Sequence, residues 1–221
     1  MLAEVAKRFA QFLEMRLRLG TCQSEDCVRY SFFAALLDHG VPQERVVLEF
    51  SHPAVARKKI DAVVLDGDLR PVVCIEFKYD RIQPSETNQA RTYKAGVVFS
   101  DFVKLLSFPG EVGRFVVYLT DGELARYFRN STRLSAFFDL QPGRELIIGS
   151  EWFRPLSATF RDAVKELGRW PGNVAVTALL RQEFRGDRYL RVYSVGQVRS
   201  DSGTPSGGRR RLAGLELRRF G

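Results

Sequence analysis

Hydrophobic positions first recur at helical spacing. Leu2, Val5, Ala6, Phe9, Phe12 and Leu13 fall on one stripe that stops at Gly20, which predicts an amphipathic helix over 2–19. A second helix opens at Ser24, with Glu25 and Asp26 at the positive end of its dipole and Val28, Phe32, Ala35 and Leu36 turned inward. His39 and Gly40 mark its end. An apolar strand follows over Val46–Phe50, and then the period becomes two. Ile60–Asp66 and Pro71–Lys78 are rich in Val and Ile and flank Asp66, Gly67 and Asp68, so they read as a β-hairpin. A loop over Gly67–Arg70 would pair Asp66 with Pro71. Counting back from that pair brings Asp61 opposite Glu76 and sets Glu76 and Lys78 on one face.

Beyond the hairpin, Pro84 and Ser85 look like a helix start and Gly96 its end, with a second short helix over Ser100–Phe108. Phe115–Leu119 is a nearly continuous apolar run, hence a buried strand, followed by a helix over Glu123–Phe128. From about residue 140 the character changes. Glu145–Ile148 reads as a strand, Ser157–Leu167 as a capped helix, and Val174–Phe184 with Arg188–Val198 as a hairpin around Arg185, Gly186 and Asp187. Ser200–Gly208 reads as a flexible loop, and arginines decorate the strand-like end. The expected fold class is mixed α/β (α+β), an αβββαβ core with an N-terminal helix over 1–139 and a helix plus β-hairpin extension over 140–221.

The chemistry is suggested by charges in the wrong place. Asp61, Glu76 and Lys78 stand in strands that otherwise read as core, where charged groups are rarely found unless paired or metal-bound. Two facing carboxylates can hold a hard divalent ion that keeps several waters and bridges to phosphate. A neighbouring lysine can stabilise phosphate charge or lower the pKa of an attacking water. The plainer alternative is a salt pair between Glu76 and Lys78 with Asp61 at a strand entrance.

With its flanks included, the arrangement resembles the PD-(D/E)XK nuclease superfamily. Asp61 and Glu76-Phe77-Lys78 carry the signature, the helix from Ser24 precedes it, and Gln89-Ala90-Arg91-Thr92-Tyr93 is similar to the QxxxY motif of some branches. The order of these elements from Ser24 to Phe128 resembles the nuclease module of type I restriction enzymes and its single-domain relatives. Ile60 stands where the superfamily name has proline. The resemblance implies a restriction-endonuclease-like core in which Asp61, Glu76 and the Phe77 backbone carbonyl bind Mg2+ or Mn2+. Lys78 would position or activate water, and Gln89 and Tyr93 would orient the substrate. Related nucleases often add an acid from the first core helix, here Glu25. Glu25 also has a local explanation at its helix end, and Glu49 competes for the same role.

Composition agrees without deciding. The chain has 221 residues, 45% hydrophobic and 27% charged, which suits a globular protein with a substantial core. A formal net charge of +8 favours a polyanionic partner. Lys58, Lys59, Lys94, Arg209, Arg210 and Arg211 are the candidate contacts to nucleic acid, expected to be DNA. Phe184, Tyr189, Tyr193 and Phe220 interleave with arginines and suggest either a nucleic-acid surface or an edge sheet kept soluble by charge.

Three cysteines without a CxxC pair suggest neither a zinc ribbon nor a disulfide framework, so a reduced cytoplasm is expected, with Cys74 a small core hydrophobe. The odd count also disfavours a four-cysteine iron–sulfur cluster. Two histidines disfavour a histidine-dependent nuclease. Charges interrupt the N-terminal apolar positions and no uncharged run is long enough to span a bilayer, so neither a signal peptide nor a membrane partner is expected. No phosphate loop is present. A homodimer is compatible, because two cuts in a duplex need two sites. The rival expectations are a catalytically idle nucleic-acid-binding or assembly module of the same fold, and an interaction protein that binds no nucleic acid.

Overall fold

The computed structural model describes residues 2–82 and 88–198. Its helices are α1 (Leu2–Arg18), α2 (Glu25–Asp38), α3 (Asn88–Ser107), α4 (Gly122–Arg129), α5 (Thr132–Phe138) and α6 (Ala158–Val164). Its strands are β1 (Val46–Ser51), β2 (Lys59–Leu65), β3 (Pro71–Asp80), β4 (Gly113–Asp121), β5 (Glu145–Ile148), β6 (Val174–Phe184) and β7 (Arg188–Gln197). One seven-stranded sheet runs β1-β2-β3-β4-β7-β6-β5, so the fold is mixed α/β. Every neighbouring pair is antiparallel except β3 and β4, which lie parallel because α3 carries the chain back between them. The strands of 140–198 continue this sheet through the β4–β7 pairing rather than starting a new one.

Strand alternation divides the interior in two. Val63, Cys74, Val116 and Tyr118 pack with the aromatic side chains of α3, α5 and the 150s, whereas Ala62, Ile75, Phe77, Val117 and Leu119 pack under α1 and α2. Phe99 sits at the centre of the first core, within 4.7–6.4 Å of the ring centroids of six other aromatic residues.

The predicted hairpin register holds through two departures that cancel. Leu65, not Asp66, pairs with Pro71, which would slide every later pair by one residue. A bulge then leaves Val72 unmatched, and Val64 pairs with Val73. Continuing from Ala62–Ile75, Asp61 stands across from Glu76. Asp66 shapes the loop with its side chain, whose Oδ1 accepts from the N–H groups of Asp68 and Arg70, both at 2.9 Å.

Four other expectations need correction. Gly96 does not end a helix: α3 runs through it, because the missing Cβ lets α6 approach. A Cβ there would lie 2.7 Å from both Ala163 Cβ and the Phe160 carbonyl oxygen. Ser24 occupies the N-cap of α2 but its side chain makes no capping hydrogen bond. Cys22 and Cys27 form a disulfide, which spacing alone did not suggest. Finally, β6 and β7 are interior strands: Phe184 on β6 and Tyr193 on β7 are core, and Arg191 is fully buried. Its Nε donates to the Phe138 carbonyl at 2.7 Å, and its guanidinium lies 4.4 Å from the centre of the Phe138 ring. These groups are therefore unavailable as a nucleic-acid surface. Arg209, Arg210, Arg211, Phe220 and the loop over Ser200–Gly208 lie outside the described residues.

Candidate active site

The site forms where β2, β3, α2 and α3 meet. Asp61 at the β2 entrance bridges two elements: Oδ2 accepts from the Phe77 N–H at 2.8 Å, and Oδ1 lies 3.2 Å from Arg29 Nη2 on α2. Glu76 is 2% exposed, and its Oε2 meets Lys104 Nζ from α3 at 2.5 Å. Its other oxygen, Oε1, is buried with no hydrogen-bond partner among the described residues. Such an orphan is costly to keep in a folded protein unless something occupies its lone pairs. Lys78 follows on the same strand face, 3.8 Å from Asp101 Oδ2, and Lys104 lies equally far from Asp101 Oδ1.

Glu25 is the acid from α2 that reaches the hairpin. Its Oε2 accepts from the Tyr79 N–H at 3.2 Å, although it is the first residue of its helix. Glu49 points elsewhere, to Arg29 at 3.2 Å and Lys59 at 3.8 Å. Its φ of 54° turns it out of the β1 ladder between the Leu48–Ala62 and Phe50–Ile60 pairs, a conformation of appreciable cost for a non-glycine residue. Arg29 ties the acids together, touching Glu25, Asp26, Glu49 and Asp61 within 3.2–3.5 Å.

Crowded carboxylates shift one another's acidity. Burial, then the charges of Asp61 and Asp101, push Glu76 well above the usual glutamate range despite Lys104. Glu25 is raised by burial and by Asp61, and Asp101 chiefly by burial. Burial pulls Lys78 down, but Asp101, Asp80, Glu25 and Asp61 together outweigh it, and its pKa ends above the ordinary lysine value. Lys78 is thus a cation at neutral pH and not a base.

The remaining sequence candidates are more dispersed. Tyr93 is 44% exposed and its hydroxyl donates to Glu166 Oε2 at 2.8 Å. Gln89 lies in the first turn of α3, its side chain outside the described residues. Lys94 Nζ donates to the Arg81 carbonyl at 2.7 Å. Lys58 and Lys59 are exposed at the entrance to β2. Sequence reasoning missed Asp101 and Lys104 because it broke α3 at Gly96. The signal was there: Asp101 and Lys104 are charges three apart in an otherwise apolar stretch, VVFSDFVKLL, the same anomaly that drew attention to the hairpin.

Do these residues suit a divalent ion? Among the described residues no three His, Cys, Asp or Glu side chains form a ready-made cage. Mg2+ does not require one, since one or two carboxylates, waters and substrate phosphate complete its shell. The all-oxygen donors, the orphaned Glu76 Oε1 and the mutual repulsion of the acids suit such an ion. Compared with protein-family models, curated proteins and solved structures, the chain matches none.

Proposed function

We propose that this protein is a Mg2+- or Mn2+-dependent nuclease of restriction-endonuclease-like fold that hydrolyses DNA. One observation carries the reading: Asp61 and Glu76 stand opposite each other on paired strands, with a buried Glu76 oxygen lacking any partner among the described residues. Asp61, Glu76, Glu25 and the Phe77 carbonyl are the ligands in this reading. A bound divalent ion would supply Lewis acidity toward a phosphate oxygen and lower the pKa of water. Lys78, held charged by its carboxylate neighbours, stabilises negative charge developing on the phosphate and orients water through its N–H donors. Tyr93 offers an exposed ring to a substrate base, with Gln89 one turn away on the same helix. Lys58, Lys59 and Lys94 supply backbone contacts.

The test is incubation of purified protein with end-labelled single- and double-stranded DNA and RNA in Mg2+, Mn2+ and EDTA. EDTA-sensitive cleavage by the wild type, lost in folded Asp61→Ala and Lys78→Ala variants, is expected. Undiminished cleavage by either variant rejects the assignment.

A second reading has its own observation. Lys104 already neutralises Glu76 at 2.5 Å, as an internal ammonium could in a binding module that does no chemistry. Titrating Mg2+ against thermal stability separates the two. The nuclease reading expects a rise that Glu76→Gln removes, about 2.7 kcal/mol at a hundredfold excess over Kd. The binding module expects none.

A further inference from the structure

Away from the acidic cluster, the 3₁₀ turn Ser150–Phe153 and α6 enclose a pocket of about 580 Å³, within the size range of small-molecule sites. Phe153, Val164 and Trp170 supply buried apolar surface to its wall. Trp170 is fixed from behind: its Nε1 donates to the Ile148 carbonyl at 3.0 Å, and its ring meets Phe153 edge-on at 4.7 Å. The indole is therefore held in place before any ligand arrives. Above this wall stand Arg154, Lys165 and Arg169, all exposed, and no carboxylate among the described residues lines the pocket. None of the three makes an ion pair among the described residues. Arg161, the fourth cation, is committed to the Arg154 and Leu156 carbonyls and braces the turn against α6.

An apolar wall with fixed aromatic rings under several cations selects a ligand with a planar apolar body and more than one negative charge. A monocarboxylate would leave most of the rim unused, whereas a phosphate can engage two or three donors at once. A nucleobase supplies the planar part, since every base offers a face that stacks on aromatic or guanidinium surfaces. We propose that this pocket binds a nucleotide unit, its base against Phe153, Val164 and Trp170 and its phosphate between Arg154, Lys165 and Arg169. The unit is either a free mononucleotide or one nucleotide of a single strand. Glu166, next to Lys165, accepts from Tyr93, so the pocket is tied directly to the helix that carries Asp101 and Lys104.

The experiment measures binding by the full chain in EDTA, so its result is independent of any cleavage. Adenosine 5′-monophosphate, adenosine, inorganic phosphate and a short single-stranded oligonucleotide are titrated while tryptophan fluorescence is followed. The monophosphate is expected to bind at least about tenfold more tightly than adenosine or phosphate alone, and Lys165→Glu with Arg169→Glu to weaken it at least about tenfold. These side chains are exposed, and an unchanged melting temperature of the variant shows that the fold survives. Competition between oligonucleotide and monophosphate would identify the strand as the source; monophosphate binding without competition would identify the free nucleotide. Adenosine binding as tightly as its monophosphate, no binding of either nucleotide probe, or binding unaffected by the charge reversals would overturn the proposal.

Discussion

Asp80 is a charge the fold would be more stable without, and replacing it with asparagine should reveal by how much. The residue is 8% exposed at the end of β3, and its Oδ2 has no hydrogen-bond partner among the described residues. Burial pushes its carboxyl up to about 6 from an ordinary 3.8, and the attraction of Lys78 and Lys94 only partly offsets this. The folded protein therefore holds a proton on Asp80 over a pH range in which the unfolded chain has released it. The stability this carboxyl contributes is fully present below about pH 3.8 and is lost as pH rises through about 6. At about 1.4 kcal/mol for each pH unit, the loss is about 3 kcal/mol by neutral pH. Asparagine imitates the protonated acid and escapes it. In urea unfolding followed by tryptophan fluorescence, Asp80→Asn should match the wild type near pH 4 and exceed it by up to about 3 kcal/mol at pH 7.5. Equal stabilities at pH 7.5, or a difference that does not change between the two pH values, would refute the reasoning.

Two further predictions concern α3. Lys104→Met leaves Glu76 buried without its counter-ion and should cost about 3–5 kcal/mol at pH 7.5 in the same urea assay. Because the folded-state pKa of Glu76 is already raised, protonation should recover much of that loss as pH is lowered toward 4.5. Gly96→Ala brings a Cβ within 2.7 Å of Ala163 Cβ and the Phe160 carbonyl; the variant should lose about 1–3 kcal/mol, detected as a lower melting temperature, despite alanine's better helix propensity.

Some of this was legible in the sequence because its causes are local. Val and Ile around a turn-forming triplet specify the hairpin, and a slip by one residue would carry Asp61 or Glu76 off their shared face into the apolar core under α1 and α2. That is why Asp61 faces Glu76 even though the loop closes one residue earlier than counted and Val72 bulges out. The anomaly of charges in apolar strands was equally local, and so was the hairpin of β6 and β7 around its central glycine.

What the sequence by itself determined, then, is most of the elements, the unbroken α3 and α5 excepted, and the pairing of two acids. What only the tertiary structure decided is who joins them. Gly96 reads as a helix end until α6 is seen packed where its side chain would be, and only an unbroken α3 carries Asp101 and Lys104 to Glu76 and Lys78. Glu25 could have remained a helix-end charge; it belongs to the site because α2 lies close enough to β3 for its carboxylate to take the Tyr79 N–H. Likewise, the arginines and aromatics of β7 read as surface until β6 and β4 flank them. In each case a residue's role depends on a partner distant in the chain, and no periodicity within one segment can specify that partner.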